Sequence, residues 1–220
     1  MKKINLLLII CTFSISAFSQ SPKYLDAMKK TLAEFATDST AEQLLTVSNK
    51  FERIALAEKT EWLPYYYAAL TRTFMGFLSE DKSKVDGILD IAQKYVDKAD
   101  SINPNNSEIV LLKGMVLAGR IMVDPMNRGM QYGMQSGAFT SRAMELDPEN
   151  PRTYLMMGQS LFYTPEQYGG GKDKGCEMLM TAKEKYESFK PATDISPDWG
   201  RDQMMQLLPS CNSNTPDGKE

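Results

Sequence analysis

Apolar residues recur along the chain with the spacing of amphipathic helices, every three to four residues. Alternation with the two-residue period of a strand never extends beyond a few residues. Prolines, glycines and small polar residues separate the helical stretches. The pattern therefore predicts an all-α protein whose helices lie at about 22–37, 40–59, 63–79, 83–101, 107–122, 125–146, 151–163, 172–189 and 197–208.

The helical pattern repeats with a period of 44 residues. Two segments that begin at Lys98 and Arg142 align without gaps, and small residues recur at the same step at 48, 92 and 136 and at 55, 99 and 143. A fourth copy follows after a step of 39, with Gly175. Small residues seven apart share one helix face and let a partner helix approach closely. Eight helices are therefore predicted to pair as hairpins, with the ninth as a cap.

The junctions within these copies resemble the tetratricopeptide repeat family. The match is carried by Ala99, Ile102-Asn103-Pro104 and Gly114, and again by Ala143, Leu146-Asp147-Pro148 and Gly158. The departure is length, because the family repeat is usually about 34 residues. The resemblance implies a superhelical stack of about four tetratricopeptide-like hairpins plus a C-terminal capping helix. In such stacks the first helices line a concave groove where ligands bind.

Two further resemblances concern short motifs. The stretch "TPEQYGGG" is similar to the T component of TRAP-type transporters, which are periplasmic helical-repeat proteins. Together, "DPMNRG", "DPENPR", "YTPEQYGGG" and "PDWG" resemble exported helical-repeat proteins of Bacteroidota-type bacteria across most of the chain. This second resemblance implies export but no particular activity.

The N-terminus has the composition of a secretory signal peptide. Two lysines precede an apolar run and a small-residue site, with cleavage expected after Ser19. We therefore expect a signal peptide at 1–19, a repeat domain at 20–210 and a disordered tail at 211–220. Periplasmic location is expected, with extracellular release as the alternative and lipidation at Cys11 as a minor one. No second long apolar run predicts a membrane span.

Charge and composition exclude several functions. The net charge is −3, which argues against a nucleic-acid partner. The chain has no histidine, which excludes Ser-His-Asp and Cys-His catalysis and the commonest zinc ligand. We therefore expect neither an enzyme nor a cofactor. The leading hypothesis is a non-catalytic periplasmic module whose groove binds an exported protein or peptide. The alternative is a carrier or transport accessory protein that binds a small apolar ligand between lengthened helices.

Four tyrosines are candidates for the groove. Tyr65 and Tyr66 belong to a run of three tyrosines at the start of a first helix, so at least one of the three faces the groove. Tyr163 is a candidate for an apolar pocket wall, and Tyr168 lies in the loop before the three glycines at 169–171. That loop is interpreted as a turn between paired helices rather than a phosphate loop, because Asp173 stands where a Ser or Thr is required.

Two arginines are further candidates. Arg128 and Arg152 fall in the first turn of predicted helices, where cations are mildly unfavourable. Each therefore needs a specific partner, and Asp124 or Asp147 is favoured over an anionic ligand.

Methionine and cysteine add two expectations. Three methionines lie four apart on one helix, beside a stripe of three glycines (Met126, Met130, Met134; Gly129, Gly133, Gly137). Core or groove-wall packing is favoured over Cu(I) binding, with the glycines in tight contact with a neighbour. Cys176 and Cys211 remain after cleavage and are predicted to form a disulfide, because two antiparallel helices of these lengths bring them together.

Overall fold

The computed structural model describes residues 20–37 and 40–212. Within these ranges the chain forms nine α-helices, one 3-10 turn at Glu166–Tyr168 and no β-strand. The helices are α1 (Pro22–Phe35), α2 (Ala41–Ala57), α3 (Trp62–Leu78), α4 (Lys82–Ile102), α5 (Ser107–Ile121), α6 (Pro125–Leu146), α7 (Pro151–Tyr163), α8 (Lys172–Ser188) and α9 (Arg201–Asn212). They pack as a stack, which confirms the predicted all-α architecture. The predicted signal peptide lies outside the described residues.

Short polar side chains determine where the helices begin. Thr40 and Gln43 form a capping box at the start of α2. Asn106 and Asn150 accept hydrogen bonds from backbone amides in the first turns of α5 and α7. Pro151 occupies the first helical position after Asn150, where its missing amide hydrogen costs nothing.

Glycines at the repeat positions allow the paired helices to approach closely. A Cβ placed on Gly114 of α5 would lie 3.0 Å from the carbonyl oxygen of Ser136 in α6. A Cβ placed on Gly158 of α7 would lie 2.9 Å from Leu179 Cγ and 3.1 Å from the carbonyl oxygen of Gly175, both in α8. Each glycine therefore lies where a side chain would separate the two helices of a hairpin.

The core is centred on α3, which packs against α2, α4 and α5. Twelve of the 17 residues of α3 are buried, in keeping with its largely apolar sequence. Stacked rings of Phe51 and Tyr67, with centroids 5.1 Å apart, join α2 to α3. A second cluster around Leu155, Leu179 and Tyr186 holds α7, α8 and α9 together.

The C-terminal part differs from expectation in two respects. Helix α9 begins at Arg201 rather than near 197, because Gly200 adopts a positive φ of 100° and the preceding residues are used in other contacts. The helix also continues through Cys211 and Asn212, so these two residues do not belong to a disordered tail. Residues 213–220 lie outside the described range. No described helix has both the length and the apolarity needed to cross a bilayer.

Candidate ligand cleft

A cleft of about 1020 Å³ opens between the helices of the stack and the segment that precedes α9. Its volume lies at the upper end of the range of about 300–1,000 Å³ for small-molecule sites. The first helices of the hairpins, α1, α3, α5 and α7, all contribute to its lining, whereas α4 and α8 contribute none of it. The cleft therefore occupies the position expected for the ligand groove of a helical stack.

The interior of the cleft is apolar and is rich in aromatic and thioether groups. The lining includes Leu32, Phe35, Tyr67, Phe74, Phe77, Met115, Ile121, Met122 and Met156. Phe35 stacks on Phe74 with ring centroids 6.1 Å apart, which joins α1 to α3. Neutral polar groups from α6 and α7, such as Ser136 and Gln159, provide a few hydrogen-bonding positions. Such a surface suits a large, mostly apolar ligand.

One wall of the cleft is formed by residues 189–200, hereafter the crossing segment, which runs from α8 to α9. The Tyr67 hydroxyl of α3 donates a hydrogen bond to the carbonyl oxygen of Ile195 at 3.1 Å. Lys29 of α1 forms an ion pair with Asp194 at 2.6 Å. Trp199 packs edge-on against Phe74, with centroids 5.9 Å apart. The segment thus returns to the N-terminal helices and converts an open groove into a bounded cleft.

A buried polar network holds Trp199 in this wall. The indole N–H of Trp199 donates to the Tyr66 hydroxyl at 2.8 Å, and Tyr66 donates in turn to Glu108 Oε2 at 3.0 Å. Glu108 also accepts from the Asn150 amide at 2.7 Å and from Arg152 Nη2 at 2.5 Å. The network therefore connects α3, α5 and α7 to the crossing segment.

Arg152 is the buried cation of the network, with its side chain 2% exposed and that of Glu108 12% exposed. Burial lowers the pKa of Arg152, but the adjacent Glu108 carboxylate outweighs this effect and raises the pKa overall. The guanidinium also lies 4.6 Å from the centre of the Phe189 ring. Burial raises the pKa of Tyr66 and Glu108 raises it further, so Tyr66 stays protonated and remains a donor.

The tyrosine candidates from the sequence are in different environments. Tyr163 lines the cleft, and so does Tyr67, the third member of the tyrosine run. Tyr65 and Tyr66 are buried in the core instead of facing the groove, because α3 is surrounded by other helices. Tyr168 is exposed and does not line the cleft. The structure therefore brings only Tyr163 of the four to the cleft.

The two arginine candidates have carboxylate partners within the protein, and neither lines the cleft. Arg152 pairs with Glu108 and not with Asp147. Arg128 pairs with Asp86 of α4 at 2.9 Å and not with Asp124, whose carboxylate accepts from Asn127 instead. The expectation of internal ion pairs thus agrees with the structure, whereas the expected partners do not.

The structure contains both the disulfide and the glycine turn that the sequence predicts. Cys176 and Cys211 form a disulfide with a Cα–Cα distance of 5.6 Å, which ties α9 to α8. Gly169 and Gly171 have positive φ angles of 90° and 120° in the turn before α8. A Cβ on Gly170 would lie 2.1 Å from the carbonyl oxygen of Thr164. The three glycines therefore form a tight turn between α7 and α8.

The methionine stripe of α6 is exposed rather than packed. Met126 is 92% exposed, and Met130 and Met134 are also exposed. Gly129, Gly133 and Gly137 have nothing within 4 Å of an added Cβ, so they mark no tight helix contact. Core packing was the wrong expectation here, because the N-terminal half of α6 contributes no buried residue.

Sequence reasoning missed most of the apolar lining of the cleft. Phe74, Met115 and Met156 carry no local signal that separates a cleft residue from a core residue. It also missed Glu108 as the partner of Arg152, although a signal was present. The two residues are one repeat period of 44 apart, so they occupy equivalent positions of successive hairpins.

The described side chains offer few metal ligands. Among the described residues no group of three or more His, Cys, Asp or Glu side chains is arranged to hold a metal ion. Met115, Met122 and Met156 belong to the cleft lining. Their thioethers are soft ligands.

A solved structure shows what this chain is similar to. Neither the protein-family models nor the curated proteins include a match to this chain. Among solved structures the chain is similar to the HusA haemophore from Porphyromonas gingivalis, with a TM-score of 0.81 and 32% sequence identity. The match covers 91% of this chain and 100% of the other. This chain therefore belongs to the same family as the HusA haemophore.

Proposed function

We propose that this protein is an exported carrier that binds haem, or a closely related porphyrin, in the cleft and catalyses no reaction on it. The observation that carries the proposal is the apolar cleft of about 1020 Å³ in a chain 32% identical to a haemophore, a protein that captures haem. A porphyrin is a large, flat and mostly apolar ligand, which suits the aromatic and aliphatic lining. The peptide-binding groove favoured by the sequence has less support.

The residues that would hold the macrocycle follow from the lining. Aromatic surface is offered by Phe74 of α3 and Trp199 of the crossing segment. Apolar surface is offered by Met115 of α5 and Met156 of α7. Tyr67 is a poor candidate for iron ligation, because its hydroxyl donates to Ile195 and burial raises its pKa, which disfavours the phenolate. The thioethers of Met122 and Met156, which are partly exposed, are the better candidates among the lining side chains, whereas Met115 is 2% exposed.

The architecture supports the same proposal. We regard the hairpins as repeats related to the tetratricopeptide family, because the 44-residue period places equivalent residues of successive hairpins side by side. In an open stack of this kind the groove suits an extended peptide. Here the crossing segment closes one side of the groove, which favours a compact ligand over an extended one.

The experiment is a titration of the purified protein with haemin, followed by absorbance in the Soret region. In the variant Ala118→Trp a large side chain is added at the cleft lining, and we expect it to weaken haemin binding at least about ten-fold, equivalent to about 1.4 kcal/mol. The matched control is Ala138→Trp, on the exposed side of α6, which should bind haemin as the wild type does. Thermal melting checks that both variants are folded.

Two outcomes would overturn the proposal. The first is the absence of saturable haemin binding by the wild-type protein. The second is equal affinity of the wild type and the folded Ala118→Trp variant, which would place haemin outside the cleft. The non-catalytic part is tested separately, since prolonged incubation should leave the porphyrin spectrum unchanged, and its bleaching would indicate a reaction.

Export is a separate part of the proposal and rests on the N-terminal pattern of residues 1–19. The protein recovered from the periplasm or medium of its own cells should begin at Gln20. Mass spectrometry of the intact protein checks this, and a chain that retains Met1 in the cytoplasm would contradict it.

A further inference from the structure

The charged residues that line the cleft all come from one short stretch of the chain, which we take as one edge of the cleft. They are Asp194, Asp198, Arg201 and Asp202, from the crossing segment and the first turn of α9. The remaining lining from α1, α2, α3, α5, α6 and α7 is apolar or neutral. The cleft is therefore amphipathic, with its charge gathered on one side, so a ligand whose polar groups lie along one edge would bind in a single orientation.

Arg201 is the cation of this edge. Asp194 is already paired with Lys29 at 2.6 Å. The guanidinium of Arg201 lies 5.3 Å from the centre of the Tyr186 ring. Within residues 20–37 and 40–212 it forms no ion pair or hydrogen bond with a carboxylate. Arg120, Arg128 and Arg152, by contrast, each pair with a carboxylate of another helix.

The backbone that carries Arg201 is anchored, while its side chain is exposed and has no carboxylate partner among the described residues. The Tyr186 hydroxyl donates to the carbonyl oxygen of Trp199 at 2.9 Å, which anchors the backbone just before Arg201. The Met204 amide bonds to the carbonyl oxygen of Gly200 at 2.9 Å and closes the first turn of α9. The disulfide to Cys211 ties the other end of α9 to α8. The first turn of α9 is therefore held in place, and the guanidinium that it carries is available to a carboxylate of a ligand.

We propose that Arg201 is the specificity-determining residue that binds an acidic group of the ligand, so that the protein selects apolar macrocycles with carboxylates along one edge. This inference rests on the proposed function and adds the orientation of the ligand within the cleft. The apolar edge of the macrocycle lies against α3 and α5, and its carboxylate edge faces α9. Asp198 and Asp202 lie beside the same edge and oppose the binding of an anionic ligand.

The test is a cycle of two proteins and two ligands. Wild-type protein and the Arg201→Gln variant are each titrated with protoporphyrin IX and with its dimethyl ester, in which both carboxylates are blocked. We expect Arg201→Gln to weaken binding of the free acid about ten-fold and to leave binding of the ester unchanged within about two-fold, because the charge-assisted hydrogen bond exists only with the acid.

Two further variants sharpen the test. Asp202→Asn should strengthen binding of the free acid a few-fold, since it removes a like charge from the same edge. Lys98→Gln is the matched control, because Lys98 is exposed on α4 and does not line the cleft. It removes the same formal charge as Arg201→Gln and should leave both affinities unchanged.

The outcomes separate this inference from the proposed function. If both ligands bind to the wild type, and Arg201→Gln weakens acid and ester equally or weakens neither, the inference is overturned and the carrier function stands. If Lys98→Gln has the same effect as Arg201→Gln, the effect is long-range charge, and the inference is again overturned. If the wild type binds neither ligand, the proposed function fails and the inference fails with it.

Discussion

Arg128 and Arg152 occupy the same kind of local sequence and lie in different environments. Each falls in the first turn of a helix that begins with a proline, and each pairs with a carboxylate of another helix. The side chain of Arg128 is 31% exposed and its partner Asp86 36% exposed, whereas Arg152 and Glu108 are almost fully buried. The same local sequence pattern therefore gives ion pairs that contribute differently to stability, because the tertiary structure buries one pair more than the other.

The surroundings of Arg152 are also more extensively packed than those of Arg128. Arg152 stands between the two core clusters, and its partner Glu108 connects through Tyr66 to Trp199 in the cleft wall. Arg128 lies in the half of α6 that has exposed methionines, unpacked glycines and no buried residue. We therefore expect the Arg152 side of the molecule to contribute more to the stability of the fold than the Arg128 side.

The largest expected effect comes from breaking the buried pair. Arg152→Met leaves the Glu108 charge buried without its counterion and should lower the free energy of unfolding by about 3–5 kcal/mol. Adding Glu108→Gln to this variant removes the buried charge and keeps one of the two oxygens that accept from Tyr66 and Asn150, so it should recover part of the loss. Denaturant unfolding measures both variants, and a double variant less stable than Arg152→Met would contradict the argument.

The disulfide belongs to the Arg152 side, because α9 packs on α8 and α8 on α7. Replacing Cys176 and Cys211 with serine should lower the free energy of unfolding by about 3–4 kcal/mol in the chain-entropy model for a loop of this length. Hydrogen exchange should show faster exchange in α9 and no change in α6. Exchange that quickens in α6 as much as in α9 would contradict the division of the molecule into two sides.

A substitution at a glycine of α6 should raise the free energy of unfolding instead of lowering it. Gly129→Ala should raise the free energy of unfolding by about 1 kcal/mol, because alanine has a higher helix propensity and no neighbour lies within 4 Å of the added Cβ. Gly114→Ala is the matched control and should be destabilising, since its Cβ would lie 3.0 Å from the carbonyl oxygen of Ser136. A loss of stability in Gly129→Ala would show that α6 is packed against a neighbour after all.

The smallest effect is expected for the half-buried pair of Arg128 and Asp86. Arg128→Met should lower the free energy of unfolding by less than about 1 kcal/mol, because solvent screens an ion pair that is about one third exposed. Its effect should decrease with added salt, whereas that of Arg152→Met should persist. A loss for Arg128→Met as large as that for Arg152→Met would remove the distinction between the two regions.

Helix positions could be predicted closely from the sequence, since prolines, capping residues and the 44-residue period mark most helix ends. The hairpin contacts at Gly114 and Gly158 followed from the same period. The lining of the cleft could not be predicted, because burial of Phe74 or Met115 in a core and exposure to a cleft produce the same local pattern. The contact between Trp199 and Tyr66 spans 133 residues and has no local signal.

The methionines of α6 illustrate the same limit. Their four-residue spacing indicates that they share a helix face, and the structure agrees on that point. Spacing alone does not indicate whether a neighbouring element covers the face, and here none of the three is buried. Periodicity predicted the arrangement within the helix, and only the tertiary structure determined its exposure.

The most direct test of the account is a methyl NMR spectrum of protein labelled at methionine, recorded with and without a bound porphyrin. The account predicts shifted or broadened signals for Met115, Met122 and Met156, which line the cleft, and unchanged signals for Met28 and Met204, which are buried elsewhere. Changes confined to the exposed stripe of Met126, Met130 and Met134 would contradict it, because the ligand would then lie on α6 and outside the cleft.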